Sequence, residues 1–293
     1  MDWSAIESDI SRATGTTFKA ETARDVGGGC INDATRLEGA GRRFFVKRNR
    51  PELLGMFAAE SAGLQEIFDS DSVRVPRPVS HGASETDSWL VLEYIDLVTP
   101  GGEASARLGH QLAAMHRHTA ISFGWTRDNT IGSTPQINTP GQDWVSFFRD
   151  RRLGFQFDRA ANQGAPTALL ARGERLLDDL TGFFAAYQPA PSLLHGDLWG
   201  GNWSCDGDGK PVLFDPAVYY GDRETDLAMT ELFGGFDDRF YQSYGQAWTI
   251  DPGYSTRKVL YQLYHILNHF NLFGGGYARQ AQGMIDSLIA ELG

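Results

Sequence analysis

Cysteines and basic residues are scarce in this sequence. Its 293 residues contain two cysteines, Cys30 and Cys205, too few for a disulfide framework or a cysteine-based zinc site. The 26 lysines and arginines are outnumbered by 37 aspartates and glutamates, which gives a net charge of −11. Nucleic acids and anionic membrane surfaces both attract clustered basic residues. The charge balance therefore argues against either partner.

Long hydrophobic runs are missing as well. No stretch approaches the roughly 18 consecutive apolar residues that mark a membrane-spanning helix. The first residues, MDWSAIESDI, lack the basic and apolar regions of a signal peptide. We therefore expect a cytoplasmic protein with no membrane partner and no nucleic-acid partner.

Glycine is abundant, with 34 of 293 residues, about 12%, against a usual share of about 7%. No internal repeat or low-complexity block accounts for the surplus. A chain of this length with 41% hydrophobic residues can bury one large core or two medium ones. We expect a globular protein whose glycines lie at particular turns and loops.

The N-terminal third is predicted to be rich in β-strands. Alternating apolar residues predict strands over 31–37 and 42–47, joined by a turn at 39–41, and the apolar run 88–95 predicts a buried strand. Helices are predicted near 3–13 and in the stretch that Pro51 opens. This part is expected to form a lobe over residues 1–95.

The remainder, 96–293, is predicted to be mainly helical, with a loop-like segment at 120–141 and a short β-like region at 192–215. Helices are predicted near 103–118, 142–162, 165–188, 222–233, 254–273 and 277–292. The whole is an α+β chain with a β-rich N-terminal lobe and a mainly helical C-terminal lobe. Clefts between lobes are preferred ligand sites.

One motif in the C-terminal part indicates phosphoryl transfer. His195, Asp197 and Asn202 match H-x-D-x-x-x-x-N, the catalytic loop of the kinase fold, where Asp accepts the hydroxyl proton and Asn holds a metal ion. Asp215 follows a short apolar strand, as expected of a second Mg²⁺ ligand. Because Pro216 and Ala217 follow it in place of Phe-Gly, a protein kinase with a movable D-F-G segment is excluded.

Three further parts of a kinase site lie upstream. Gly27, Gly28, Gly29 and Cys30 lie between two predicted strands and can fold over phosphates. Lys47 lies in a strand, where its ammonium group can reach ATP phosphates, and Glu60 in the next helix can pair with it. Each residue alone is more often a solvated surface group or a flexible turn. Their order along the chain indicates a kinase-like site.

The sequence resembles the fructosamine (ketosamine) 3-kinase family, in the aminoglycoside-phosphotransferase-like branch of the protein-kinase fold. The resemblance extends through most of the chain, and one departure is Gly200, where the family more often carries Ser. The matching segments are GGGCIN (27–32), FVKRN (45–49), LEYI (92–95), FGWTRDNTIGSTPQIN (123–138), DWVSFFRDRRL (143–153), HGDLWGGNW (195–203) and DPAVYYGDRETDLAM (215–229).

The resemblance implies ATP- and Mg²⁺-dependent phosphorylation of the 3-hydroxyl of a ketosamine, free or protein-bound. It implies that Asp197 is the base and that Asp226 braces the catalytic loop through backbone hydrogen bonds. Trp199 is a candidate platform for the sugar, with Trp125 and Trp203 less favoured, and His195 is counted among the substrate residues. The implied metal ligands are Asn202 and Asp215, and the implied ATP-binding residues are Gly27, Gly28, Gly29, Cys30, Lys47, Glu60, Glu93, Tyr94 and Ile95.

Alternatives stay open at this point. A related kinase for an aminoglycoside, choline or a similar alcohol would share the catalytic residues, and a nucleotide-binding pseudokinase would usually lack one of them. The sequence does not choose the sugar, the form of the amine, or monomer against homodimer. The thiol of Cys30 in the glycine loop is a candidate redox switch. The glycines at 234–235 and 274–276 have no predicted role.

Overall fold

A five-stranded antiparallel sheet forms the N-terminal lobe in the computed structural model, which describes residues 3–27 and 32–292. The strand order is β1-β2-β3-β5-β4. The strand Ser88–Glu93 is buried along nearly its whole length, and this burial explains why its residues form the apolar run that predicted it. The strands are β1 (Thr22–Asp25), β2 (Asp33–Gly39), β3 (Arg42–Asn49), β4 (Pro78–Ala83) and β5 (Ser88–Glu93).

Two helices cover the sheet, α1 (Ser4–Thr14) and α2 (Leu54–Asp69), the latter preceded by a 3-10 turn that starts at Pro51. Helix α1 lies over one face, where Ile6 and Ile10 join a small core with the apolar residues of β2, β3 and β5. Helix α2 lies between the sheet and the rest of the chain. Its buried face connects the sheet to the main core of the molecule.

The C-terminal lobe is mainly helical. A π-helical segment, Arg149–Gly154, connects α4 to α5. The helices are α3 (Gly102–His116), α4 (Trp144–Phe148), α5 (Phe155–Asn162), α6 (Thr167–Asp178), α7 (Glu224–Leu232), α8 (Asp238–Ala247), α9 (Tyr254–Phe273) and α10 (Tyr277–Leu292). Short strands pair as three hairpin-like ladders: β6 (Asn129–Ile131) with β7 (Thr134–Gln136), β8 (Ser192–Leu194) with β11 (Tyr219–Gly221), and β9 (Trp203–Cys205) with β10 (Pro211–Leu213).

The lobes share one hydrophobic core. Phe57 and Leu64 of α2 belong to the same buried cluster as the residues of α3, α7 and α9. Polar contacts also join the lobes, since Glu66 of α2 accepts a hydrogen bond from the Tyr220 hydroxyl at 2.7 Å. Arg74 pairs with the buried Asp206 at 2.6 Å. The N-terminal lobe is therefore docked on the C-terminal lobe through both apolar and charged groups.

The α+β class and the arrangement of a sheet-rich lobe before a helical lobe agree with the sequence analysis. Five elements were not predicted: β4, the two strands β6 and β7 inside the expected loop 120–141, β11, and α8. Helix α8 begins after Asp237, whose side chain accepts a hydrogen bond from the backbone N–H of Phe240 at 3.2 Å. Across the described ranges, no helix is long and apolar enough to cross a membrane.

Candidate active site

A cavity between the lobes brings together the polar groups that the motifs predicted. Its accessible volume is about 140 Å³. Strand β3 and helix α2 form one side of it, and the loops after β8 and β10 form the other. The predicted residues that line it are Lys47, Glu60, Asp197, Asn202 and Asp215. Residues far apart in the sequence thus converge on one site.

Lys47 lies at the centre of this site. Its Nζ is 2.6 Å from Glu60 Oε1 and 2.6 Å from Asp215 Oδ1. The predicted pairing of Lys47 with Glu60 is confirmed, and Asp215 is a second partner from the other lobe. Burial alone would lower the pKa of Lys47, but the charges of the two carboxylates outweigh it and raise that pKa. The ammonium group is therefore fully charged.

The catalytic loop follows β8 and is held by hydrogen bonds to α7. Asp226 Oδ2 accepts a hydrogen bond from the His195 backbone N–H at 2.7 Å, and Oδ1 accepts one from the Gly196 N–H at 2.8 Å. The predicted bracing role of Asp226 is confirmed. Gly196 has a φ of +82°, and a Cβ there would collide with the carbonyl oxygen of Ala217. Only glycine fits between the motif's His and Asp.

Asp197 and Asn202 are joined within this loop. The side-chain N–H of Asn202 donates to the carbonyl oxygen of Asp197 at 2.8 Å, which fixes the turn between the two residues. Burial, followed by the negative charges of Asp215 and Asp226, raises the pKa of Asp197 to about 7. A carboxyl group with a pKa near neutrality is well matched to accept a proton from a hydroxyl.

Asp215 has an unusual backbone conformation. Its φ is +58°, in the left-handed region that residues other than glycine rarely adopt. The conformation turns the chain sharply after β10, and the carboxylate points to Lys47. The side chain is 49% exposed, so that a ligand entering the cleft can reach it.

His195 does not reach the cleft. Its side chain is fully buried, and Nε2 lies 3.0 Å from the carbonyl oxygen of Phe214, while Nδ1 accepts from the Asp197 N–H at 3.3 Å. Burial lowers the pKa of His195, in keeping with a neutral ring that donates through Nε2. The prediction that His195 contacts substrate is therefore wrong. The ring connects the catalytic loop to the strand that precedes Asp215.

The three candidate tryptophans differ in exposure. Trp199, two residues after Asp197 in the chain, is 41% exposed, as a platform for a sugar ring requires, although it does not line the cavity that holds Asp197. Trp203 is buried and stacks on Phe236 with ring centroids 5.6 Å apart, and Trp125 is buried below α2. Trp199 stays the preferred candidate for substrate contact, and packing explains the other two.

Gly200 and the glycines at 234–235 pack against each other. A Cβ at Gly200 would lie 2.9 Å from both Gly234 O and Gly235 Cα, closer than real Cβ contacts. Gly234 and Gly235 themselves have φ of +74° and +98°. The glycines at 234–235 thus have a structural role that the sequence did not indicate, because their backbone supports the catalytic loop at Gly200.

The predicted adenine and phosphate contacts are only partly described. Glu93, at the end of β5, pairs with Arg74 at 2.9 Å, and the ring of Tyr94 lies under the guanidinium groups of Arg36 and Arg43. Neither these residues nor Ile95 lines the cavity that holds Asp197. Gly27 is exposed beyond β1, and Gly28, Gly29 and Cys30 lie outside the described residues. Their contacts with ATP, and the redox role of Cys30, stay predictions.

Sequence reasoning missed one wall of the cavity. The β6–β7 hairpin lines it through Asn129, Thr130 and Gly132. These residues belong to the segment FGWTRDNTIGSTPQIN, which carried the resemblance to the family but to which no function was given. Its density of Asn, Gln and Gly was the available signal, because those residues favour buried polar networks and tight turns over a simple loop.

A divalent cation fits the oxygen donors at this site. Across residues 3–27 and 32–292, no group of three or more His, Cys, Asp or Glu side chains could hold a metal ion by itself. Asn202 uses its side-chain N–H on Asp197, which leaves its amide oxygen for a cation beside the Asp215 carboxylate. Mg²⁺ is commonly bound by one or two such groups together with substrate phosphates. Asn202 and Asp215 are therefore suited to a metal ion that arrives with a nucleotide.

Comparison with known proteins identifies the relatives of this chain. The model of the fructosamine kinase family matches residues 2–291. A candidate ketoamine kinase from Synechocystis is 46% identical over 288 residues, which cover 97% of this chain and 95% of that protein. A chloroplastic protein-ribulosamine 3-kinase from Oryza sativa is 40% identical over 293 residues, 99% of this chain and 83% of that protein.

Solved structures agree on the fold. The crystal structure of a candidate fructosamine-3-kinase from Thermobifida fusca is 34% identical and superposes with a TM-score of 0.87, covering 98% of this chain and 99% of that one. An aminoglycoside phosphotransferase, 16% identical, superposes with a TM-score of 0.66 and covers 99% of both chains. At that identity the likeness concerns the fold alone, and it confirms the predicted kinase-like architecture.

Proposed function

Because the chain belongs to the fructosamine kinase family, we propose that it is an ATP-dependent kinase that phosphorylates the 3-hydroxyl group of ketosamines. The observation that carries the proposal is the convergence of Lys47, Glu60, Asp197, Asn202 and Asp215 on one interlobe cavity. A pseudokinase usually lacks one of these groups, and this chain retains them all.

Lys47 and Glu60 act on the nucleotide. Phosphoryl transfer depends on positioning and on neutralising charge at the phosphates more than on covalent help from the protein. Lys47 extends from β3 into the cleft, where Glu60 of α2 holds its charged ammonium group. The ammonium group is available there to the α- and β-phosphates. The same ammonium group also pairs with Asp215, and it lies 2.6 Å from each carboxylate.

Asp197 acts on the acceptor. A 3-hydroxyl hydrogen-bonded to its carboxylate would lose its proton to Asp197 as the oxygen attacks the γ-phosphorus, while the bond to the β,γ-bridging oxygen breaks and ADP leaves. Asn202 keeps the loop in shape through its bond to the Asp197 carbonyl, and Asp226 keeps the loop on α7. A bound Mg²⁺ at Asn202 and Asp215 would supply charge neutralisation for the phosphates.

The acceptor is proposed to be a sugar joined to an amine. The rice relative is named for protein-bound ribulosamine, and Trp199, two residues after Asp197 in the catalytic loop, has an exposed side chain. Hydrophobic sugar faces stack on such rings, so Trp199 would orient the sugar for attack. A panel of fructosamine, ribulosamine and erythrulosamine, each free and protein-bound, identifies the preferred substrate. The cytoplasmic location stays a prediction.

The test of this function is ATP turnover with a ketosamine acceptor by wild type and Asp197→Asn. We expect the variant to lose about 10²–10⁴-fold in kcat, the usual worth of a general base, while its affinity for ATP stays nearly unchanged. Asp208→Asn, an exposed aspartate outside the cavity, is the matched control and should keep full activity. Wild-type protein that binds ATP but phosphorylates no member of the panel would refute the assignment.

A further inference from the structure

We propose that a buried amide cluster, Asn129, Gln136 and Asn138, is a positioning device that fixes the chain after Asp215 and so keeps that carboxylate in its metal-binding position. The inference rests on the proposed metal role of Asp215. All three residues belong to the β6–β7 hairpin or directly follow it. The cluster ends on the main chain of Ala217 and Val218, just beyond Asp215.

The first branch of the cluster runs from Arg152 to Val218. The Arg152 guanidinium donates to Asn138 Oδ1 at 2.7 Å, so the Asn138 amide must present its N–H groups on the other side. Asn138 Nδ2 then donates to Asn129 Oδ1 at 2.9 Å. This in turn orients Asn129 Nδ2, which donates to the carbonyl oxygen of Val218 at 2.8 Å. One permanent donor, Arg152, therefore sets the direction of every bond.

The second branch runs from Tyr264 to Ala217. The Tyr264 hydroxyl donates to Gln136 Oε1 at 2.9 Å. Gln136 Nε2 donates to the carbonyl oxygen of Ala217 at 3.0 Å and to Asn129 Oδ1 at 2.9 Å. The two branches meet at Asn129, whose oxygen accepts from both of the other amides.

Burial makes the cluster rigid. Gln136 and Asn138 are 1% and 0% exposed, and Arg152 is 0% exposed. In such surroundings Gln136 or Asn138 would leave its partners unsatisfied if its amide rotated, with no water to replace them. Asn129 is half-buried and lines the cavity, and its orientation is set by these two buried amides. Within the described part of the chain Arg152 has no carboxylate partner, and its guanidinium lies 4.1 Å from the ring centroid of Tyr219. The arrangement has one low-energy set of orientations.

The backbone at Asp215 needs such support. Its left-handed φ of +58° is strained for a residue with a side chain. On one side, His195 Nε2 donates to the Phe214 carbonyl oxygen at 3.0 Å, and on the other the Ala217 N–H donates to the His195 carbonyl oxygen at 2.8 Å. The amide cluster then holds the next two carbonyl groups. Asp215 is thus fixed from both directions, where a D-F-G segment would be free to turn.

The deciding measurement is the affinity for Mn²⁺ in the presence of ADP and without acceptor, read from the electron paramagnetic resonance signal of free Mn²⁺. Gln136→Met removes the donor to Ala217 with little change of volume. We expect it to weaken Mn²⁺ binding by about 10–100-fold, as loss of a group that orients a metal ligand usually does. Its affinity for ADP without metal should stay at the wild-type level, which a general loss of structure would not allow.

Two further variants control the result. Gln163→Met makes the same substitution at a glutamine that also donates to a main-chain carbonyl, that of Asn271, at 2.7 Å, and it should bind Mn²⁺ as wild type does. Tyr264→Phe removes only the hydroxyl that orients Gln136 and should weaken Mn²⁺ binding to a smaller extent. If Gln136→Met does not fold, Tyr264→Phe decides the question.

The outcomes separate the two proposals. Wild-type protein that binds no Mn²⁺ with ADP, or an Asp215→Asn variant that binds it undiminished, would overturn the metal role of Asp215. If wild type binds Mn²⁺ and Asp215→Asn does not, folded Gln136→Met and Tyr264→Phe proteins with wild-type Mn²⁺ affinity would overturn the positioning role of the amide cluster.

Discussion

At the scale of single residues, the conformation of the catalytic loop depends on two glycines. Gly196 passes so near to Ala217 that a Cβ does not fit, and Gly200 rests on the backbone of Gly234 and Gly235. In this chain the catalytic loop can pack directly on the backbone of 234–235 because Gly200 has no Cβ.

We predict that Gly200→Ser destabilises the protein. The new Cβ would lie 2.9 Å from backbone atoms of Gly234 and Gly235, and backbone cannot move aside as a flexible side chain can. Overpacking of this kind costs about 1–3 kcal/mol. Urea unfolding measures the loss, and ATP turnover should fall with it because Asp197 and Asn202 lie on the same loop. Gly207→Ser, which meets no atom within 4 Å, is the control, and equal stability of the two variants would contradict the prediction.

At the scale of secondary-structure elements, α7 serves as the base of the catalytic loop. Asp226 in its first turn accepts two main-chain hydrogen bonds from that loop and lies 3.2 Å from His116 Nε2 of α3. Burial works against the charge of Asp226, but its hydrogen bond with His116 and the nearby N–H groups keep its pKa below the usual range. The Asp226 carboxylate of α7 thus contacts both helix α3 and the catalytic loop.

Replacement of Asp226 by Asn should therefore loosen the loop. The amide cannot accept both main-chain bonds as a charged carboxylate does, and hydrogen bonds to a charged group are worth about 1.5–3 kcal/mol each. We expect a lower free energy of unfolding together with a lower kcat, measured by urea titration and by ATP turnover. Asp238→Asn, at an exposed position of α8, should change neither quantity, and an Asp226→Asn protein as active and stable as that control would disprove the role.

The elements differed in how far the sequence could predict them. Groups such as Lys47, Asp197, Asn202 and Asp215 were found because catalysis requires a particular side chain at a particular spacing. His195 was assigned to substrate because a motif fixes its position but not the direction of its ring. The amide cluster was missed because Gln136 acts on Ala217, a residue 81 positions away along the chain. Helix α8 was missed because glycines precede it and its stabilising contacts with α3 are tertiary.

At the scale of the whole molecule, α2 is the element that couples the lobes. Its Glu60 holds Lys47 in the cleft, and its Glu66 accepts a hydrogen bond from Tyr220 of the other lobe at 2.7 Å. Gly63, between them, approaches Val218 so closely that a Cβ would lie 3.1 Å from its side chain. The helix is therefore fixed on the C-terminal lobe along its length.

We predict that Glu66 and Tyr220 are energetically coupled. In a double-mutant cycle of Glu66→Gln and Tyr220→Phe, the free energies of unfolding should be non-additive by about 0.5–3 kcal/mol, the range for groups in direct contact. The exposed pair of Arg149 and Asp150 is the control and should give a coupling below about 1 kcal/mol. Additive effects of the two substitutions at Glu66 and Tyr220 would show that this contact does not couple the lobes.

The close packing of α2 on the segment after Asp215 has a pharmacological consequence. An inhibitor that relies on displacing the metal-binding aspartate and the helix beside it would need space between that helix and the segment after Asp215. Here Val218 is 0% exposed beneath Gly63, so that space is filled by the protein's own chain. Selective compounds should instead be directed at Thr130 and Gly132, which line the same cavity as Lys47 and Asp197.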